Sequence, residues 1–162
     1  MTGDAPDTDG GKAVYPRHRA REALVQSLYQ WHYNPQDPRE LEMEFLDAGY
    51  LEGAERAFFQ QLIRKAVDRR EEIDALIAPA VMPRRLNELT GVELAILRAA
   101  VCELLERPDI PDRVTINEAV ELAKSFGTEQ GYRFVNAVVD RIARERREEQ
   151  AAASQPDPHA GQ

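Results

Sequence analysis

A chain of 162 residues, 43% hydrophobic and 31% charged, is long enough to bury one core and too short for several independent domains. Its formal net charge of −8 excludes a protein that coats nucleic acid by bulk attraction, because such proteins carry a positive balance over much of their surface. The single cysteine, Cys102, excludes an internal disulfide framework and a multi-cysteine metal centre and fits a reducing, cytoplasmic setting.

No stretch reaches the roughly 18 apolar residues that cross a bilayer, and the opening Asp4, Asp7 and Asp9 are unlike a basic region followed by an apolar one. Neither a signal peptide nor a membrane anchor is expected. Residues 1–15 mix Gly, Asp, Thr and Pro without apolar periodicity, and residues 150–162 have no face to bury; both are expected to be disordered tails. Between them, residues 16–149 carry a helical signal throughout and no run of alternating β-formers, so the fold class is all-α.

The first helix places Ala20, Leu24, Ser27 or Leu28, and Trp31 on one stripe, and Asn34-Pro35 stops it. A weaker pattern around Glu40 to Ala48 uses Leu41, Phe45 and Leu46 and breaks near Gly49. A long helix from about Ala54 to Ile77 repeats Phe58, Leu62, Ala66, Ile73 and Leu76 or Ile77 before Pro79 ends it. These elements make an N-terminal subdomain over about 16–79.

A C-terminal subdomain over about 80–149 begins with a segment containing Pro83 and a possible short helix. Thr90-Gly91-Val92-Glu93 then has capping-box spacing, and Leu94, Leu97, Val101, Leu104 and Leu105 give the helix it opens a broad apolar stripe. After Pro108 and Pro111, the next helix starts either with Asp112 as its cap or with the second capping-box spacing, Thr115 to Glu118; the sequence leaves both open. Ile116, Ala119, Val120 and Ala123 form its buried face, and Gly127 is expected to end it in the left-handed conformation. A last helix from about Thr128 to Arg146 buries Phe134 or Val135, Val138 and Ile142. Short connections favour packing the two three-helix groups into one body.

Catalytic signatures are missing from the sequence. There is no Gly-x-Gly-x-x-Gly and no Walker-type loop, and no cofactor is expected. His18, His32 and His159 are scattered, none with a second histidine or a cysteine at ligand spacing, so no metal site is expected. The pairs Glu71-Glu72 and Glu148-Glu149 read as solvated helix faces, Ser27 and Ser125 lack a glycine elbow, and Cys102 reads as a small core residue. The chain reads as a binding protein, not an enzyme.

Charge is unevenly distributed. Glu40, Glu42, Glu44, Asp47, Glu52 and Glu55 gather in one segment, whereas Arg17, Arg19 and Arg21 crowd into five residues. A site for a polyanion must be local.

The run from Thr115 through Gly127 (Thr-Ile-Asn-Glu-Ala-Val-Glu-Leu-Ala-Lys-Ser-Phe-Gly), followed by Phe134-Val135-Asn136-Ala137-Val138-Val139-Asp140, resembles the signature of the bacterial transcription antitermination family NusB. Arg19-Ala20-Arg21-Glu22 leading to Leu28-Tyr29-Gln30-Trp31 looks like that family's N-terminal arginine helix, and Val92-Glu93 through Ile96-Leu97-Arg98 like its central helix. The resemblance covers about residues 17–144. It implies about seven helices in two packed subdomains. It also implies that the chain binds the single-stranded RNA element boxA jointly with the ribosomal small-subunit protein NusE, in the RNA polymerase antitermination complex that serves ribosomal RNA synthesis.

Candidate site residues follow from the residues and the resemblance together. Arg17, His18, Arg19 and Arg21 sit where a helix is expected to start; cations there oppose the macrodipole by about a few tenths of a kcal/mol each, and RNA phosphates would reverse that cost. The bland alternative is a solubilising turn. Tyr29 and Tyr132 are the aromatics expected to be partly exposed, and bases can stack on such rings; for Tyr29 core packing fits equally well, and Trp31, Phe58, Phe59 and Phe134 read as core.

The resemblance places Lys124, Gln130 and Arg133 on the RNA-facing side and Glu93 at the NusE interface, where Glu93 also reads as a capping-box acid. Many relatives have Glu-Asp-Ser where this chain has Glu129-Gln130-Gly131, and an aromatic where it runs Ala80-Val81-Met82. Two other readings stay open: a self-associating helical protein that forms a homodimer, and a NusB-like domain detached from an RNA methyltransferase.

Overall fold

The computed structural model describes residues 9–127 and 130–154. It has seven α-helices in that span: α1 (Asp9–Tyr33), α2 (Pro38–Asp47), α3 (Arg56–Asp68), α4 (Arg70–Val81), α5 (Gly91–Glu106), α6 (Asp112–Phe126) and α7 (Gly131–Ser154), with a 3-10 turn, Leu86–Glu88, between α4 and α5. No strand occurs among the described residues, and no helix is long and apolar enough to cross a membrane.

Helix α5 is the axis of the fold. Every residue from Leu94 to Leu104 is buried, because α1, α3, α4, α6 and α7 all pack against it. A helix apolar on all sides can exist only when surrounded, and its two interior charges, Arg98 and Glu103, are buried with it. The capping box opens α5 as expected: Thr90 Oγ1 accepts from the Glu93 amide and Glu93 Oε1 from the Thr90 amide, both at 3.0 Å. Cys102 is fully buried and donates to the Leu62 carbonyl; burial pushes its thiol pKa well up, which keeps it inert.

Several boundaries differ from the expected ones. The long third helix is two, α3 and α4, broken at Arg69. Seven residues separate Ala66 from Ile73, so the apolar stripe stays in phase across the break and the pattern reads as continuous. Arg69 joins the pieces to α5 by pairing with Glu72 and with Glu106, and α4 packs chiefly on α5 and α7. Pro79 lies inside α4, which ends two residues later at Val81. Helix α6 starts at Asp112, leaving Thr115 inside the helix and buried, its hydroxyl donating to Glu103 at 2.8 Å.

Gly127 is extended (φ −117°, ψ −159°), not left-handed. Space explains the residue: its amide donates to the Ala123 carbonyl at 2.8 Å, and a Cβ would lie 2.9 Å from that same oxygen.

Helix α1 begins at Asp9 and runs through residues expected to belong to a tail, since propensity is a weak prior even across Gly10, Gly11 and Pro16. Helix α7 likewise continues to Ser154 through the helix-favouring Ala151, Ala152 and Ala153. The tail expectations for residues 1–8 and 155–162, and the expected helix start at Thr128, lie outside the described residues.

Candidate nucleic-acid and partner interface

Because α1 starts at Asp9, its basic segment lies about two turns inside the helix, beyond the reach of the macrodipole effect expected for it. Intramolecular carboxylates hold most of it. Arg17 makes a two-pronged pair with Glu55, at 3.1 and 3.0 Å, and lies 5.0 Å over the Phe58 ring. His18 Nδ1 is 2.9 Å from Glu118 and Nε2 is 3.6 Å from Glu22.

Arg21, expected to face solvent or RNA, is only 4% exposed. Its Nε and Nη2 donate to the two oxygens of Glu103 at 2.9 and 2.7 Å, and Nη1 to Glu118 at 3.3 Å. Burial opposes its charge, but Glu103 and then Glu118 more than compensate and hold its pKa above the ordinary arginine value. Glu103, on α5, is the cause: a carboxylate inside that helix needs a fork-shaped cation. Glu103 lies on the face of α5 opposite the Leu94, Leu97, Val101 and Leu104 stripe and is buried because helices surround α5 on every side, so the stripe itself gives no sign of it. Arg19 keeps the most freedom, donating Nε to the Glu52 carbonyl at 3.0 Å and lying 5.9 Å from the Tyr15 ring centroid.

The α6–α7 turn is built differently. Lys124 Nζ stands 5.0 Å from the Tyr132 ring centroid and the Arg133 guanidinium 5.7 Å, while Arg133 Nε donates to the Tyr132 hydroxyl at 3.4 Å. The hydrogen bond and charge of Arg133, with a smaller effect of Lys124, lower the Tyr132 pKa. Lys124, Gln130 and Arg133 are exposed and Tyr132 is half-buried.

Between these regions runs a continuous groove. At its centre a cavity of about 510 Å³ is walled by Tyr29, Tyr33, Phe45, Tyr50, Val92 and Phe126. Tyr29 is 42% exposed and meets Tyr33 edge-to-face, with centroids 5.1 Å apart. Gln26, Tyr50 and Phe126 are shared with a polar cleft of about 380 Å³ bounded by Arg19, Glu22 and Gly49. Val92 and Phe126 are shared with a third cleft, about 320 Å³, bounded by Glu93, Gly127 and Gly131.

The fold thus brings Arg19, Tyr29, Glu93 and the turn at Gly131 to one surface, with Lys124, Tyr132 and Arg133 flanking that turn and Arg21 turned inward. Tyr33 and Tyr50 were not singled out in the sequence; Tyr33 stands four residues beyond Tyr29, on the same helix face. Phe134 is half-buried under the Arg84 guanidinium, 4.6 Å away. Glu93 Oε1 takes Arg84 at 3.2 Å in addition to the cap, and its side chain stays 19% exposed. His32 sits against Arg98 at 3.2 Å, and burial followed by that cation lowers its pKa. No cluster of three metal-binding side chains occurs among the described residues.

An all-helical body with an open aromatic groove, rimmed by polar groups, belongs to the class of binding modules. The chain matches the NusB family model over residues 18–144 and is 44% identical, over 82% of its length and 92% of the relative's, to the transcription antitermination protein NusB of Actinobacillus succinogenes. The chain belongs to the NusB family. Its fold matches that of T. maritima NusB with a TM-score of 0.71 at 37% identity, covering 80% of this chain and 92% of that one. A NusB solved with NusE and double-stranded RNA superposes with a TM-score of 0.73 at 26% identity, covering 82% of this chain and 98% of that one.

Proposed function

We propose that this chain is an RNA-binding transcription antitermination factor of the cytoplasm, which acts by binding and not by catalysis, and which joins NusE to hold boxA RNA in the antitermination complex that supports ribosomal RNA transcription. The observation that carries the reading is the shared fold, over most of both chains, with a NusB solved together with NusE and RNA. In this reading Arg19 and the cations Lys124 and Arg133 hold phosphates, Tyr29, Tyr132 and Gln130 meet bases, and the remaining Glu93 oxygen meets NusE. Arg17 and His18 reach phosphate only by exchanging their carboxylate partners, and Arg21 serves by fixing α1 against α5 and α6.

Titration of labelled single-stranded boxA RNA with the full chain, with and without NusE, tests this. Binding that NusE tightens, and that outcompetes a scrambled RNA, is the expected result. A homodimer in sedimentation that ignores both NusE and RNA would overturn it and favour the self-associating reading.

A further inference from the structure

We propose that Gly91 is a positioning residue of the RNA site: by having no side chain, it lets Tyr29 and Tyr33 lie against the first turn of α5 and form the wall on which an unstacked base of single-stranded RNA rests. The inference rests on the RNA reading above. Gly91 is buried and directly follows the Thr90 cap of α5. A Cβ there would fall 2.5 Å from the Tyr33 hydroxyl, 2.8 Å from Tyr33 Cε2 and 3.0 Å from Tyr29 Cε1, closer than carbon tolerates. Alanine is the better helix former at such a position, and Gly91 does not have the positive φ that would demand glycine. What glycine provides here is room for two rings.

The rings it admits suit a base. Tyr29 and Tyr33 are 42% and 63% exposed and set edge-to-face at 65°, so each steadies the other while ring surface stays open to solvent. None of the residues lining the central cavity carries a charge, so in a chain of net charge −8 the wall itself sets no carboxylate against a base; the nearest acids stand on its borders, Glu44 held by Gln30 and Glu22 and Glu93 in the adjoining clefts. The Gln26 and Asn34 amides on its border can pair with base edges. A neighbouring cleft supplies Arg19 for a phosphate, which gives the order expected of a single strand, with charge on the backbone and aromatic surface under a base.

Alanine at 91 would push the Tyr33 ring outward, at little cost to the fold because that ring is already mostly exposed, and would remove the support behind Tyr29. Gly91→Ala, Tyr33→Ala, Tyr33→Phe and Tyr29→Ala are compared in the full chain by boxA RNA affinity across a salt series, with and without NusE, alongside thermal unfolding. A stacked base contributes about 5- to 150-fold in affinity. Gly91→Ala and Tyr33→Ala are therefore expected to lose about three- to tenfold, a part of that contact, with salt slope and thermal midpoint unchanged because no phosphate contact is lost. Tyr33→Phe keeps the ring and the wild-type affinity.

If Tyr29→Ala weakens binding but Gly91→Ala and Tyr33→Ala do not, the positioning role falls and the RNA reading stands. Wild-type affinity in Tyr29→Ala removes Tyr29 from the RNA site and the inference with it. A loss seen only when NusE is present means that the wall faces the protein partner, which also overturns the proposal, as does a loss in Tyr33→Phe equal to that in Tyr33→Ala. Should Gly91→Ala lower the thermal midpoint, the two Tyr33 variants decide.

Discussion

At Arg21 a guanidinium lies buried between Glu103 and Glu118, whereas at Arg133 one lies exposed beside the ring of Tyr132. The two arginines belong to the two segments that the sequence nominates for RNA, yet they meet opposite surroundings. A buried, doubly paired guanidinium cannot be lent to a phosphate without taking from Glu103 its guanidinium partner in the interior, where the Thr115 hydroxyl alone does not balance the charge. An exposed guanidinium on an aromatic edge gives up almost nothing when a phosphate arrives, and the ring beside it is available for stacking. Basic character in sequence therefore marks two kinds of residue here, one that fastens α1 to the core and one that is free to bind.

The sharpest way to break this contrast is Arg21→Ala. Removing one partner of a buried ion pair costs about 3–5 kcal/mol, which for a chain of this size lowers the thermal midpoint on the order of 10 °C. Differential scanning calorimetry checks it. RNA affinity measured well below the new midpoint should stay close to wild type. Preserved stability together with a selective loss of RNA affinity would put Arg21 back at the interface.

Arg19→Ala has a smaller effect, of the opposite character. Arg19 is bound to a backbone carbonyl and borders the groove, so the midpoint should scarcely move. RNA affinity should fall alike for boxA and for unrelated strands, and the salt slope should flatten by about one. A salt series of equilibrium titrations reads both. An unchanged slope would mean that α1 contributes no phosphate contact of its own at this position.

Why α1 could be recognised but its arginines not assigned is a matter of range. The stripe Ala20, Leu24, Leu28 and Trp31 repeats within one helix, so local spacing is enough to find its buried face. The partners of Arg17 and Arg21 lie 38 and 82 residues away along the chain, and nothing within the segment distinguishes a solvated arginine from one that meets Glu103. The break at Arg69 was hidden for a related reason: the in-phase stripe of α3 and α4 carries no record of a change in direction. The turn cluster was easier to find, because Lys124, Tyr132 and Arg133 lie within ten residues and Gly127 marks the end of the helix that carries Lys124. Even there the sequence does not decide the conformation of Gly127, since a need for space and a need for positive φ select the same residue. Glu93 was legible in its capping role because a capping box spans only four residues.

The smallest expected effect separates folding from binding most cleanly. Gln130 directly precedes Gly131, the first residue of α7, where an acid would cap the helix and meet the favourable end of its dipole. Gln130→Asp should therefore stabilise the chain by about 0.5–1 kcal/mol. The same acid, brought beside the segment that carries Tyr132 and Arg133, would repel phosphate and weaken boxA binding a few-fold at low salt. That loss should fade once the ionic strength brings the Debye length down to about 3 Å, near 1 M salt. Stability and affinity thus move in opposite directions, which general loosening of the turn cannot produce. Chemical denaturation and RNA titration on the same preparation test the pair of effects. Equal RNA affinity of the two forms at low salt would place the phosphates away from this turn and leave the α1 side of the groove as the only charged contact.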